Sequence, residues 1–180
     1  MRQNTVFRTA DLKRLLQQKQ EFVIVACLAC GGHKYQRWFS KDGFDFVRCS
    51  RCQTAFINPR PTLAMLENFY TTARSIQHWN DAIFPASEKV RRKTIFKPRA
   101  LRVRQLCKKY GVGSRLLIDV GAGFGTFCEE VKKLNYFKRV VAIEPAPDLA
   151  QTCRQKEIEV VEATVEATKI SGADVITNFE

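Results

Sequence analysis

Apolar positions along this chain fall into distinct regimes. From Thr9 to Phe22, Leu12, Leu15, Leu16 and Phe22 recur among Lys, Arg and Gln, a spacing that predicts a short amphipathic helix. Between residues 23 and 60 the aromatics Tyr35, Trp38, Phe39, Phe44 and Phe46 lie in two alternating runs around an Asp42-Gly43 turn signal, which predicts a β-hairpin. Asn58-Pro59-Arg60-Pro61 closes this region, since proline has no N–H to donate and fixes its own φ. A helix is predicted from about Thr62 to Tyr70. Residues 71–88 have no clean period and read as loop or short helix. From about Pro98, Val103, Leu106, Cys107 and Tyr110 recur at helical spacing, and Gly111 supplies the stop.

After residue 114 the pattern becomes regular. Apolar runs at Leu116–Val120, Val140–Ile143, Ile158–Glu162 and Ala173–Thr177 alternate with predicted helices at Thr126–Leu134 and Pro147–Lys156. Short continuous apolar strands separated by helices predict βαβ units and a parallel sheet covered on both faces, an α/β fold. The chain therefore divides into an N-terminal helix at 1–24, a small β module at 25–60, a helical linker at 61–110 and an α/β segment at 111–180.

Charge follows the same division. The 180 residues carry a net charge of +12, yet residues 1–110 hold 22 Lys/Arg against 7 Asp/Glu, whereas residues 111–180 hold 8 against 11. A basic first half could steer RNA or another anion, although a solvated basic face is the plainer reading. No run approaches the roughly 18 consecutive apolar residues of a membrane span, and the N-terminus lacks the order of a secretory signal. The chain reads as cytoplasmic, without a membrane partner.

Seven cysteines without a secretion signal argue against a disulfide framework. Four are spaced for metal: Cys27-x2-Cys30 and Cys49-x2-Cys52, separated by 18 residues, match a four-cysteine zinc ribbon whose hairpin brings two tight turns together. Ordinary buried thiols or a redox pair are the competing readings, and two pairs at this spacing disfavour both. Four sulfurs leave no open position for water, so Zn2+ here would be structural. His33 reads as a surface residue, and Cys107, Cys128 and Cys153 as thiols on helix faces.

Leu116-Leu117-Ile118-Asp119-Val120-Gly121-Ala122-Gly123-Phe124-Gly125-Thr126-Phe127 is an apolar strand running into a glycine loop that opens a helix. Such a loop brings backbone close to a ligand, and the helix start adds free N–H groups and a positive dipole end. A phosphate-cradling loop would end in Gly-Lys-Ser/Thr, which is absent, and a dinucleotide fingerprint would place glycine where Thr126 stands. Val140-Val141-Ala142-Ile143-Glu144 then closes the next strand on an acid, 19 positions after Gly125, where a carboxylate can accept hydrogen bonds from ribose hydroxyls.

Asp119-x-Gly121-x-Gly123-x-Gly125 followed by Glu144 resembles motif I of the class I S-adenosylmethionine-dependent methyltransferases. The resemblance covers most of residues 25–180. Sugar C-methyltransferases and methyltransferases of surface-polysaccharide and antibiotic pathways share a four-cysteine ribbon, a phrase like Phe56-Ile57-Asn58-Pro59-Arg60-Pro61, a helical linker and motif I. It implies that 25–60 is a zinc ribbon and that 111–180 is the first half of a Rossmann-like sheet, with four parallel strands in the order 3-2-1-4, continuing beyond Glu180. It further implies that S-adenosylmethionine lies over Gly121, Ala122, Gly123, Phe124 and Gly125. Asp119 would lie near the methionine amino group, Glu144 at the ribose and Thr164 and Val165 at adenine, with Asn178, at the start of the segment after the fourth strand, also among the cofactor-binding residues.

Thr164 stands where the family often has Asp, a departure at the adenine position. The acceptor implied is a small molecule, such as a nucleotide-linked sugar or polysaccharide precursor. No catalytic base is assigned; Tyr70 and His78 are candidates. A zinc-ribbon nucleic-acid-binding module, or an RNA methyltransferase, is the alternative that the charge split and the aromatic hairpin support, and a nicotinamide enzyme is a weaker one. An incomplete sheet would leave an edge available for self-association.

Overall fold

The computed structural model describes residues 2–179 and divides into two compact units, Met1–Pro85 and Ala86–Glu180. The boundary falls within the segment read as a linker. The fold is mixed α/β, with an antiparallel three-stranded sheet in the first unit and a parallel four-stranded sheet in the second. Among the described residues, no helix is long and apolar enough to cross a membrane.

In the first unit, helix α1 (Arg2–Leu16) precedes a 3-10 turn at Lys19–Glu21, then β1 (Tyr35–Lys41), β2 (Phe44–Cys49) and β3 (Ala55–Ile57). Asp42 and Gly43 both take positive φ, 52° and 85°, as the two-residue hairpin turn demands. The order β1-β2-β3 has Phe39 opposite Phe46 and Val47 opposite Phe56. Helices α2 (Leu63–Thr72) and α3 (Arg74–His78) follow, with the Thr62 hydroxyl accepting from the Met65 N–H as an N-cap.

Two boundaries differ from the sequence pattern. Helix α1 occupies Arg2–Leu16, not Thr9–Phe22, because its register is set by docking onto α3. Buried Asp11 accepts from the Ser75 N–H at 2.8 Å, the Ser75 hydroxyl at 2.7 Å and the Arg74 N–H at 3.3 Å, capping α3 from 64 positions away. Phe22 lies outside the helix and stacks on Phe44. Residues 71–88 are also mostly helical: α3 runs into a π turn at Trp79–Ile83 and then α4 (Phe84–Arg91). A second π turn at Arg92–Phe96 leads into α5 (Lys97–Tyr110), and each π turn shifts the apolar stripe out of the 3.6 period.

The second unit holds β4 (Leu116–Val120), α6 (Thr126–Lys133), β5 (Arg139–Ile143), α7 (Pro147–Gln155), β6 (Glu159–Val161) and β7 (Val175–Asn178). The sheet order is β6-β5-β4-β7, all parallel, so the first strand of this unit is central. Leu117, Val140 and Ala142 pack on one face against Ala100 of α5, Phe127, Cys128 and Val131 of α6, and Cys153 of α7. Leu116, Ile118, Val141 and Ile143 form the other face with Val161, Ile170 and Ala173. Burial on both faces explains why these strands are continuously apolar.

Arg92 ties the helices together: its guanidinium reaches Glu88 at 2.9 Å, Glu129 at 2.7 Å and Glu130 at 2.8 Å. Although burial opposes it, bonding to Arg92 and Lys133 holds the Glu129 carboxyl down to about 2.

Candidate functional site

Each unit presents one cluster with chemical potential. In the first, the Sγ atoms of Cys27, Cys30, Cys49 and Cys52 all lie within 4.8 Å of one another. Two turns of matching geometry create it. The Gly31 N–H bonds the Cys27 carbonyl at 2.9 Å and the Gln53 N–H bonds the Cys49 carbonyl at 3.0 Å, with φ of 69° at Gly31 and 63° at Gln53. Glycine takes that conformation without strain, whereas Gln53 adopts it because the turn requires it.

Sulfur–sulfur distances are 3.5 Å for Cys27–Cys52 and 3.6 Å for Cys30–Cys49. A tetrahedron of zinc–sulfur bonds of about 2.3 Å has edges of about 3.8 Å, so the spacing fits zinc. Backbone N–H groups of Cys52 and Arg51 favour the Cys49 thiolate, and the Thr54 hydroxyl and N–H bring Cys52 down to about 6. The Gly32 amide favours the Cys30 thiolate too, but crowding by Cys52, Cys49 and Cys27, together with burial, drives that thiol up to about 12. Four thiolates this close repel, and a divalent cation removes the conflict. The cluster could hold one zinc ion. Cys107, Cys128 and Cys153 are buried elsewhere and His33 is exposed, as their sequence contexts suggest.

Asn58 completes the ribbon in a way its sequence context does not reveal. Its buried side chain accepts from the Val25 N–H at 3.0 Å and donates to the Val25 carbonyl at 3.2 Å, fixing the segment that enters the first cysteine pair.

In the second unit the glycine loop leaves the end of central β4. The Gly121 and Ala122 N–H groups bond the Ile143 carbonyl at 2.8 and 3.2 Å, and Gly125, at φ 67°, starts α6. Glu144, 6% exposed, closes the neighbouring β5: one carboxylate oxygen accepts from the Gly123 N–H at 2.7 Å, the other from the Ala146 N–H at 2.9 Å. Its first role is thus to hold the loop, and two bonds leave about half of a carboxylate's acceptor capacity. Asn178, at the end of β7, donates to the Val120 carbonyl at 2.9 Å beside Gly121.

The structure therefore gathers Asp119, the loop residues Gly121–Gly125, Glu144 and Asn178 at the C-terminal ends of adjacent parallel strands. Open α/β sheets bind ligands there. Thr164 and Val165 follow β6, the strand paired with β5, at an exposed 3-10 turn, Val165–Ala167. Tyr70 and His78 lie in the first unit, Tyr70 exposed and His78 edge-on to Phe7. Glu88 is an addition the sequence does not signal. One of its oxygens accepts from the Thr126 hydroxyl at 3.0 Å and Lys156 Nζ at 2.7 Å, pinning the helix start behind the loop.

Asp119 is 4% exposed and accepts from the Thr177 hydroxyl at 2.6 Å. Burial raises its pKa from 3.8 to about 6 against the opposing hydrogen bonds of Thr177 and Cys128, and the nearby Glu144 charge adds to the rise. The unfolded chain loses this proton near the ordinary value, while the folded chain retains it. This group therefore lowers stability progressively as pH climbs from about 4 to about 6, with no further change above. Asp119→Asn removes that component. Over this window the wild type is expected to lose about 2–3 kcal/mol relative to the variant in denaturant titrations. Parallel stability profiles would contradict the assignment.

Comparison with protein-family models and with curated proteins finds no match for this chain.

Proposed function

We propose that this chain is the ribbon and cofactor-binding part of a class I S-adenosylmethionine-dependent methyltransferase, acting in the cytoplasm on a small-molecule acceptor such as a nucleotide-linked sugar or polysaccharide precursor. The observation that carries the reading is the bond from the Gly123 N–H to the Glu144 carboxylate. It joins an acid at the end of β5 to an Asp-x-Gly-x-Gly-x-Gly loop at the end of β4, in a sheet ordered third-second-first-fourth.

Open space at the loop supports the reading. A Cβ at Gly123 would meet nothing within 4 Å, so this glycine leaves open space beside backbone that a ligand can approach. Gly125 packs differently: a Cβ there would come within 2.7 Å of Ile158 and 2.9 Å of Cys153. The glycine that permits close helix packing thus stands one position before the place a dinucleotide fingerprint would put it, and Thr126 is buried against Glu88.

S-adenosylmethionine would supply a methyl group already activated by its sulfonium charge. The chain's residues would bind and align it: the loop backbone passing under the ribose and methionine portion, Glu144 accepting from ribose hydroxyls, Asp119 near the amino group. Alignment and exclusion of water are the protein's contribution to such a transfer. The four-cysteine zinc would be structural, since its donor set is closed. Titration with S-adenosylhomocysteine tests the reading. One-site binding with no binding of NAD is expected, and the reverse preference would overturn it.

A further inference from the structure

We propose that the solvent face of the helical segment from Lys89 to Lys109 is a binding surface for the phosphate backbone of nucleic acid. Residues 86–110 hold ten Lys/Arg and a single acid, Glu88. That acid is turned to Arg92, Thr126 and Lys156 and does not neutralise the outer face. Lys89, Lys93, Lys97, Arg102, Lys108 and Lys109 are all exposed. Among the described residues none of the six pairs with a carboxylate; Lys108 and Lys109 instead lie over the Tyr136 and Tyr110 rings. At about 1.5 Å per residue this face extends roughly 30 Å.

The opposite face is fixed: Ala100 and Cys107 are buried, and Ala100 and Val103 belong to the core over the sheet. The cations are therefore presented by a packed helix and not by a free tail. Their arrangement selects the partner. Only two large apolar residues of this segment are exposed, Val90 and Tyr110, about 30 Å apart, whereas an interfacial membrane helix needs a continuous apolar face. Protein interfaces likewise depend on clustered apolar or aromatic anchors. Unpaired cations spread over the solvent side of a packed helix without such anchors suit the phosphates of nucleic acid, read by charge and not by sequence.

The surface stands independently of methyl transfer. The zinc-loaded chain would be titrated against labelled single- and double-stranded RNA and DNA of about 20 nucleotides, across about 50–200 mM salt. Binding that weakens linearly on a log–log salt plot is expected, and the comparison of RNA with DNA assigns the source. Lys93→Glu/Lys97→Glu is expected to lose at least about tenfold in affinity and to flatten the salt slope by about two. Lys93→Gln/Lys97→Gln should lose less. Lys138→Glu/Lys169→Glu, an equal charge change at exposed positions elsewhere in the same unit, should lose under about threefold. Unchanged thermal unfolding would separate these losses from misfolding, and unchanged S-adenosylhomocysteine affinity would separate them from the cofactor site. No affinity for any probe at the lowest salt, equal losses in the two glutamate pairs, or preference for phosphatidylserine vesicles would each overturn the proposal.

Discussion

Cys49→Ser is expected to release zinc and unfold the ribbon together. The apolar cluster beneath the hairpin has four buried members, Cys27, Val47, Cys49 and Phe56, and two of these belong to the four-cysteine cluster. Burying Val47 and Phe56 contributes about 1.5–3 kcal/mol each, against apparent zinc-binding energies of about 10–16 kcal/mol for small structural sites. With zinc bound the metal term would dominate, so folding of this module would be coupled to metal binding. Metal analysis should find about one equivalent of zinc in the wild type, and a strong chelator should mimic the variant by abolishing amide protection in β1 and β2. An ordered, protected hairpin in metal-free protein would contradict this.

Gly125→Ala is expected to cost about 2–5 kcal/mol of the second unit's stability. A left-handed residue with a Cβ costs about 1–2 kcal/mol, and overpacking against Ile158 and Cys153 adds about 1–3 kcal/mol. Gly123→Ala makes the instructive pair, since its φ of 57° brings the same strain while its Cβ meets nothing. Denaturant midpoints should therefore fall clearly further for Gly125→Ala, whereas Gly123→Ala should act mainly on ligand binding. Equal destabilisation by both would contradict a packing role specific to Gly125.

How much of this was legible in the sequence depended on the range of the interaction. The cysteine pairs were readable because a metal requires donors in two tight turns, and the central strands because burial on both faces leaves Leu116–Val120 and Val140–Ile143 continuously apolar. The Asp42-Gly43 turn was readable because few residues tolerate its dihedrals. Asp11 and Glu88 were not readable. Asp11 caps a helix 64 residues away, and Glu88 meets partners 38 and 68 residues away, so no local pattern announces either. The π turns at Trp79–Ile83 and Arg92–Phe96 obscured a nearly continuous helical stretch for a related reason: they break the periodicity by which helices are recognised. The strand-end position marks Glu144 as a ligand-facing acid, and the structure also gives it the loop to hold, which links the candidate site to its own scaffold.

The most direct test of the central claim is calorimetric titration of the zinc-loaded chain and its Glu144→Gln variant with S-adenosylhomocysteine. The amide side chain keeps one acceptor oxygen but replaces the other with a donor, which opposes an N–H of the loop and cannot accept from a ribose hydroxyl. One-site binding by the wild type is expected, weakened in the variant by about 1–3 kcal/mol, roughly 5- to 150-fold. Absence of wild-type binding, or equal affinity in the two proteins, would contradict the account.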